Sequence, residues 1–348
     1  MNKKIVIHVG PPKTGSSALQ NWFVKNHDFL KEKGVFYPKH KISPLGISSG
    51  NSTCVLGFDD LGKSIFEYNK FYTLVKQFYN NEYNTLLLSS EYFFYQVDNF
   101  LESKKFLESE LGIALNLVFV TYIRPEFEFI ESIYNQSIKR NGNSKKFPRK
   151  TLLPSRELNR LISYIESLGV QYFSLRAYGS NNFFEHSIVD DFLDELDIDF
   201  VKGAESTPVI NSSYSFQCLE FKRWINKYCG TLFDNQLDLM LQDCEWGDKS
   251  YSLLPLGLYD SYKRQSLNKI KEINEICKIK NIERLYSYIE LSERKEYKHQ
   301  SLQEAHFDKI MSFLVERGAA FLDDIAIHIS KQPELKDDPY IKRFSTFL

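Results

Sequence analysis

Long apolar runs are missing from this chain. The longest, at 113–123, falls well short of the roughly 20 residues a membrane-spanning helix needs. The stretch at 5–9 behind Lys3 and Lys4 is too short for the core of a signal peptide. Cysteine is scarce and scattered. Cys54, Cys218, Cys229, Cys244 and Cys277 are odd in number and form no CxxC pair. That pattern argues against a disulfide framework and against a zinc site, and suits a reducing compartment. Charge of either sign is nearly balanced, at a net −1. No global field therefore draws the protein to nucleic acid or to an anionic membrane. Internal repeats, low-complexity tracts and Pro/Ser-rich linkers are all missing. So is any cluster of His, Cys and carboxylates at metal-ligand spacing, and no metal is expected. These absences point to a cytoplasmic protein with no integral membrane segment and no nucleic-acid partner. Any anion it binds must be held by local groups.

What is present suits a globular enzyme. The chain has 348 residues, 43% hydrophobic and 26% charged, enough apolar material for a full core. Aromatics reach 15%, with 28 Phe and 21 Tyr, most of them read as core. The segment 4–9 is a short β-branched run ended by Gly10-Pro11-Pro12. Ala18, Leu19, Trp22, Phe23, Phe29 and Leu30 follow near helical spacing, and Gly34 stops that helix. The opening therefore reads strand, glycine-containing loop, helix. Residues 35–37 read as a short strand, and 39–62 as a long Ser/Gly/Pro loop of the kind that often carries function. Helices are expected at 63–80, 98–110, after Pro125, and at 155–168. Buried strands are expected at 85–89, 115–123 and 170–175. Beyond Phe183 the pattern turns helical, at 187–196, 214–228, 262–278 and 302–316. Alternating strands and helices predict an α/β fold: a P-loop-like, three-layer arrangement with a central parallel sheet flanked by helices. A mostly helical C-terminal portion follows. The expected division is a main domain over 1–285 and a helical extension over 286–348 packed on it.

The loop Gly10-Pro11-Pro12-Lys13-Thr14-Gly15-Ser16-Ser17 carries the chemistry. A loop between a buried strand and a helix N-terminus points backbone N–H groups and the positive end of the helix dipole at an anion. Gly10 and Gly15 let the backbone approach a ligand. Lys13 brings a cation, and Thr14, Ser16 and Ser17 bring hydroxyl donors. A tight turn with an incidental lysine is the plainer alternative. Gly10 and Gly15 have the spacing of the nucleoside-triphosphatase loop, but position 16 is Ser and the lysine stands at 13. That displacement weakens a magnesium-dependent kinase reading.

Pro12-Lys13-Thr14-Gly15-Ser16-Ser17 resembles the 5′-phosphosulfate loop of the sulfotransferases that use 3′-phosphoadenosine 5′-phosphosulfate (PAPS). A second motif of that family is an arginine at a later strand end with a serine eight positions on. Arg124, after Thr121-Tyr122-Ile123, and Ser132 match it. The resemblance implies that Pro12, Lys13, Thr14, Gly15, Ser16 and Ser17 hold the 5′ end of the donor. It assigns Arg124 and Ser132 to the 3′-phosphate. An arginine can fork two N–H groups onto a phosphate, but eight helical residues rise about 12 Å, so the pair cannot touch directly. Phe173-Ser174-Leu175-Arg176-Ala177-Tyr178, residues 188–196, and Asn211-Ser212-Ser213 also look like family segments, so the similarity runs to about 285. The K-G-x-x-G-D-W-K motif of the cytosolic small-molecule members is absent. The resemblance is therefore to the bacterial and Golgi carbohydrate branch, with a saccharide or glycan acceptor.

Sulfuryl transfer to a hydroxyl needs a general base. Glu91 follows the strand 85–89, at a strand end where parallel sheets bind ligands, and polysaccharide members of the family carry a base glutamate at a similar place. It could instead cap the next segment or pair with an arginine. His40, in the Ser/Gly loop, is the rival base or an acceptor-binding residue. His8 reads as a satisfied core or supporting residue. The basic run Lys139, Arg140, Lys145, Lys146, Arg149 and Lys150 is either a solvated loop or a grip for an acidic acceptor. Three functions stay open: a PAPS-dependent sulfotransferase, a divergent small-molecule kinase, and a non-catalytic nucleotide-binding protein. The identity of the acceptor and the oligomeric state are not encoded in any recognisable motif.

Overall fold

The β-branched run Ile5-Val6-Ile7 forms the middle of β1 (Lys4–His8), and every residue of that run is fully buried. A computed structural model describes residues 3–42, 48–148, 156–179, 182–183, 185, 187–199, 213–318, 320–332 and 337–347. Arg149, Lys150, His186, Asn211 and Ser212 lie outside the described residues. After β1 come α1 (Ser16–Lys25), α2 (His27–Glu32), β2 (Val35–Phe36), β3 (Leu56–Phe58), β4 (Ser64–Phe66), α3 (Tyr68–Tyr79) and β5 (Thr85–Ser89). Then follow α4 (Val97–Leu111), β6 (Asn116–Ile123), α5 (Glu126–Arg140), α6 (Arg156–Leu168), β7 (Phe173–Ala177) and α7 (Ile188–Glu195). The rest is α8 (Phe216–Cys229), α9 (Asp234–Asp243), α10 (Leu256–Ile276), β8 (Ile279–Lys280), α11 (Ile282–Leu291), α12 (Glu304–Glu316), α13 (Phe321–Ser330) and α14 (Pro339–Ser345).

The chain divides into two compact units. The first comprises Met1–Glu126, Leu153–Ile210 and Lys263–Ser292; the second comprises Phe127–Leu152, Asn211–Tyr262 and Glu293–Leu348. This is a different division from the single boundary expected after 285.

The first unit is α/β, as the alternating pattern predicts. Six strands lie in the order β2-β5-β1-β6-β7-β8, and every neighbouring pair is parallel. Helices cover both faces. Val6, Leu87, Val120 and Tyr122 on one face pack with Leu19, Trp22 and Phe23 of α1 and Phe192 and Leu193 of α7. On the other face Phe100 of α4 meets the rings of Phe119, Phe71 and Phe93. From β1 the chain moves to one edge of the sheet, and from β5 it crosses to the other. Strand order therefore reverses beside β1, the place where open parallel sheets form a crevice at their carboxyl ends.

Several elements differ from expectation for local reasons. Residues 56–66, read as loop and helix start, form the antiparallel hairpin β3–β4. Asp59 Oδ1 accepts from the Leu61 and Lys63 N–H groups, and Gly62 takes φ 73°, so a tight turn replaces the helix start. Residues 170–172 form a short 3₁₀ turn after Gly169, which moves the start of β7 three residues on. The α1 helix ends at Asn26, whose side-chain amide bonds Trp22 O at 3.0 Å, and α2 starts anew.

The second unit is helical among its described residues. Trp224 and Phe221 of α8 pack with Phe307 of α12, and Trp224 also meets Phe344 of α14. Asp338 caps α14 and accepts from Tyr228 Oη at 2.7 Å and Trp224 Nε1 at 3.1 Å. The amphipathic spacing of α9, α13 and α14, and of α11 in the first unit, is short, three turns or less, and periodicity alone does not single these helices out.

One buried charge network pins β7 to α7. Arg176, 1% exposed, bonds Asp191 at 2.5 Å, Asp194 at 2.7 Å and Glu195 at 3.0 Å. Tyr122 Oη donates to the same Asp191 oxygen at 3.0 Å. Removing the cation takes the guanidinium from the buried Asp191 carboxylate, while Asp194 keeps Lys280 and Glu195 keeps Lys4 and Ser174. Arg176→Met is expected to cost about 3–5 kcal/mol, seen as a large fall in the thermal unfolding midpoint; a loss below about 1 kcal/mol would show that the network relaxes without it.

Candidate functional site

The site grows from the carboxyl end of β1. In parallel register His8 stands opposite Ser89, so their side chains share a face, and His8 Nδ1 meets Ser89 Oγ at 2.8 Å. Gln20 Nε2 of α1 also reaches Ser89 Oγ, at 3.3 Å. The Ser89 N–H donates to Asn51 Oδ1 at 2.8 Å. Gly50 passes so close that a Cβ there would lie 1.7 Å from Ser89 O. The Ser/Gly loop is thereby sewn onto the end of β5, and only glycine fits at position 50.

Above this base the loop turns back. Lys13 has φ 70° and Gly15 has φ 86°, both in the left-handed region. A Cβ on Gly15 would lie 2.3 Å from Ile188 Cδ1. The Thr14 hydroxyl is buried and donates to Pro11 O at 2.8 Å, holding the turn closed. Helix α1 then begins at Ser16 with no side-chain cap and no acid in its first turn, so its positive end is unneutralised from within the helix. Pro12, Lys13, Gly15 and Ser17 are half-buried around it. Gly10 leaves a small cradle. A Cβ there would lie 2.7 Å from Thr14 Oγ1, 3.7 Å from Ser16 Oγ and 3.9 Å from His8 Nε2. Both Ser16 Oγ and His8 Nε2 are buried with no hydrogen-bond partner among the described residues. Buried polar atoms without partners are rare and call for a reason. For the serine, the nearest polar group is the Glu91 carboxylate.

Two strand ends close on the loop. On one side Arg124, directly after β6, donates from Nη1 to Lys13 O at 2.7 Å. Its guanidinium lies 5.0 Å from the ring centre of Tyr178. Ile123 and Ala177 are register partners, so Arg124 and Tyr178 leave adjacent strands at the same level. On the other side Ser90 caps the short 3₁₀ turn Glu91–Tyr95, and Glu91 opens it. The Glu91 carboxylate accepts the Lys13 N–H. Burial pushes the carboxyl above its ordinary value, against the opposing pull of the Lys13 charge and N–H and the nearby Ser16 hydroxyl. That hydroxyl lies close to the carboxylate without completing a well-formed hydrogen bond.

The structure thus brings Lys13, Ser16, Glu91 and Arg124 to one loop. It uses His40 differently. His40 Nε2 meets Tyr37 Oη at 2.7 Å, and Nδ1 meets Ser48 Oγ at 3.0 Å, so both ring nitrogens have protein partners. Burial lowers its pKa. Ser132 is half-buried on α5, within the second unit, whereas Arg124 belongs to the first. Lys139 and Arg140 of the basic run reach Asp238 at 3.5 and 3.4 Å, which makes these two members structural.

Tyr178, Ser89, Gln20 and Asn51 were not singled out by sequence reasoning. Tyr178 could have been, because it follows β7 as Arg124 follows β6. The others are separated by dozens of residues and only pair once the sheet forms. Among the described residues no group of three or more His, Cys, Asp or Glu could hold a metal ion, and no helix is long and apolar enough to cross a membrane. Comparison with protein-family models, curated proteins and solved structures finds no match to this chain.

The buried His8 ring sets a pH dependence. Burial lowers its pKa from 6.5 to about 3. Between those values the unfolded chain holds the extra proton, so stability falls as pH falls. The slope is about 1.4 kcal/mol per pH unit. From pH 7.5 to pH 5 the wild type is expected to lose about 2 kcal/mol more than His8→Gln in urea unfolding; equal losses would mean that His8 does not titrate in this way.

Proposed function

We propose that the protein is a sulfotransferase that moves a sulfuryl group from PAPS to a hydroxyl of a saccharide or glycan. One observation carries this reading. An uncapped helix start, Lys13, an unpartnered Ser16 hydroxyl and the Glu91 carboxylate all meet at the loop after β1. A phosphoryl- or sulfuryl-transfer site needs that combination: donors for the leaving phosphate and an acceptor for the incoming proton, held together before substrate arrives.

The donor fits the groups present. Pro12, Thr14, Gly15, Ser16 and Ser17 cradle its 5′ end, where the first-turn N–H groups of α1 and the Ser16 hydroxyl supply donors. Arg124, placed at the end of β6 by Lys13 O and the Tyr178 ring, is the residue that the family resemblance assigns to the 3′-phosphate. The part of Ser132 rests on the family resemblance alone. In the reaction the acceptor oxygen attacks sulfur as Glu91 takes the acceptor's proton. A new S–O bond forms, the bond from sulfur to the 5′-phosphate oxygen breaks, and its electron pair stays on the phosphate. Lys13 and the loop N–H groups stabilise that charge. Glu91 suits the base role better than His40. Its raised pKa strengthens its basicity, and it touches Lys13 directly, whereas the His40 nitrogens are engaged with Tyr37 and Ser48. A kinase reading has Gly10 and Gly15 in its favour but lacks the lysine at 16.

Donor turnover with an oligosaccharide acceptor tests the assignment. Glu91→Gln is expected to lower turnover by about 10²–10⁴-fold while nucleotide affinity is kept; unchanged turnover would remove Glu91 as base. Because the carboxylate form is required, activity should rise with pH through an inflection above the ordinary carboxylate value of 4.5. Lys13→Ala is expected to cost about 10²–10³-fold in turnover with little change in unfolding midpoint. Parallel loss of activity and stability would make the lysine structural.

A further inference from the structure

A second concavity lies beside the turn that presents Glu91. It is a groove of about 860 Å³ between the β3–β4 hairpin, the Glu91–Tyr95 turn and α4. Its size falls in the range of small-ligand sites, roughly 300–1,000 Å³. Phe66, Tyr68, Tyr95 and Phe106 line it together with Asn99 and Glu102. Phe66 packs on the core rings Phe71 and Phe100, whereas Tyr95 and Phe106 stand outside the core. Phe106 is 50% exposed and Tyr95 43%. Tyr68 and Phe106 hold each other edge to face at 4.9 Å. Phe58 of the hairpin and Tyr92 of the turn continue the row outside the groove, in contact at 5.3 Å and both more than 40% exposed. Water-exposed rings in a row mark a binding surface more often than chance packing.

The polar groups of the groove are held in place. Gln96 Nε2 bonds Ser64 O at 3.3 Å and Ser64 Oγ at 3.1 Å, and Asn99 Nδ2 donates to Gln96 Oε1 at 2.6 Å. The Tyr68 hydroxyl is occluded and has no partner among the described residues. Rigid rings beside oriented amides and a carboxylate match a ligand with flat C–H faces and many hydroxyls. The charges of the lining refine the match. Asp59 and Glu102 outnumber Lys63, so a polyanion is disfavoured.

The groove also lies on the proton acceptor's side. Tyr95 is four residues after Glu91 in the same 3₁₀ turn, a rise of about 8 Å. The Tyr95 hydroxyl is held above its ordinary pKa by burial and by Glu157, and the Glu91 charge adds to the same shift.

We propose that this groove is the acceptor subsite and that it takes an uncharged saccharide chain, with Tyr95, Tyr68 and Phe106 stacking on its rings. The word acceptor rests on the sulfotransferase reading; the binding itself does not. The full-length protein would be titrated with cellohexaose, chitohexaose and mannohexaose, and with a chondroitin hexasaccharide as the uronate-bearing control. Saturation-transfer NMR reads the contact, with and without adenosine 3′,5′-bisphosphate. At least one neutral hexasaccharide is expected to bind more tightly than the chondroitin. Phe106→Ala and Tyr95→Ala should each weaken it by about fivefold or more, with bisphosphate affinity unchanged. Both rings are surface-exposed, and circular dichroism verifies folding. Asn99→Ala provides a third variant that leaves the aromatic contacts intact. Binding that these variants weaken supports the groove even where the bisphosphate fails to bind, which would sink the donor reading alone. No binding of any neutral hexasaccharide, equal binding of chondroitin, or binding untouched by all three variants overturns the groove while leaving the donor reading standing.

Discussion

The carboxyl end of β1 is buried, and His8 Nδ1, Ser89 and the Gln20 amide nitrogen pair with one another there. His8 remains neutral because the site is dry, and it shares Ser89 with Gln20. Asn51 then takes the Ser89 N–H, which draws the Ser/Gly loop over the end of β5 and forces glycine at position 50. This one network fixes where β5 ends, and therefore where Glu91 begins its turn. It also seats the start of α1, since Gln20 belongs to that helix. The loop after β1 and the carboxylate beside it are consequences of the same buried polar cluster.

Two opposite demands meet at Lys13. Its backbone N–H and its charge hold the Glu91 carboxylate down, while burial pushes it up. Its carbonyl is held by Arg124 from the neighbouring strand end. A left-handed backbone at a non-glycine residue is strained, and here contacts on both sides sustain it. The lysine thus ties the ends of β5 and β6 together as well as supplying a cation. An incoming anion would compete with Glu91 for that cation and so raise the proton affinity of the carboxylate.

Sequence pattern revealed much of the first unit. The strands 85–89 and 115–123 were readable because parallel strands buried on both faces show as continuous apolar runs. The loop after β1 was readable because glycine, proline and lysine punctuate it between two clear periods. The hairpin β3–β4 was not, because its strands are three residues long and one side faces water. Nor was the supporting cluster of Ser89, Gln20 and Asn51, whose members are ordinary residues until the sheet juxtaposes them. His40 looked catalytic as a lone histidine in a functional loop. Its two partners, Tyr37 and Ser48, became evident only from the folded loop. Arg176 carried a strand-end resemblance, yet its chemistry is structural: burial leaves it no role beyond neutralising the α7 carboxylates.

The most direct test of the donor site is a calorimetric titration with adenosine 3′,5′-bisphosphate in the presence of EDTA. The account predicts stoichiometric binding without magnesium, weakened by about tenfold or more in Arg124→Ala, where a charge-assisted phosphate contact is lost. Binding of ATP with magnesium and none of the bisphosphate would contradict it.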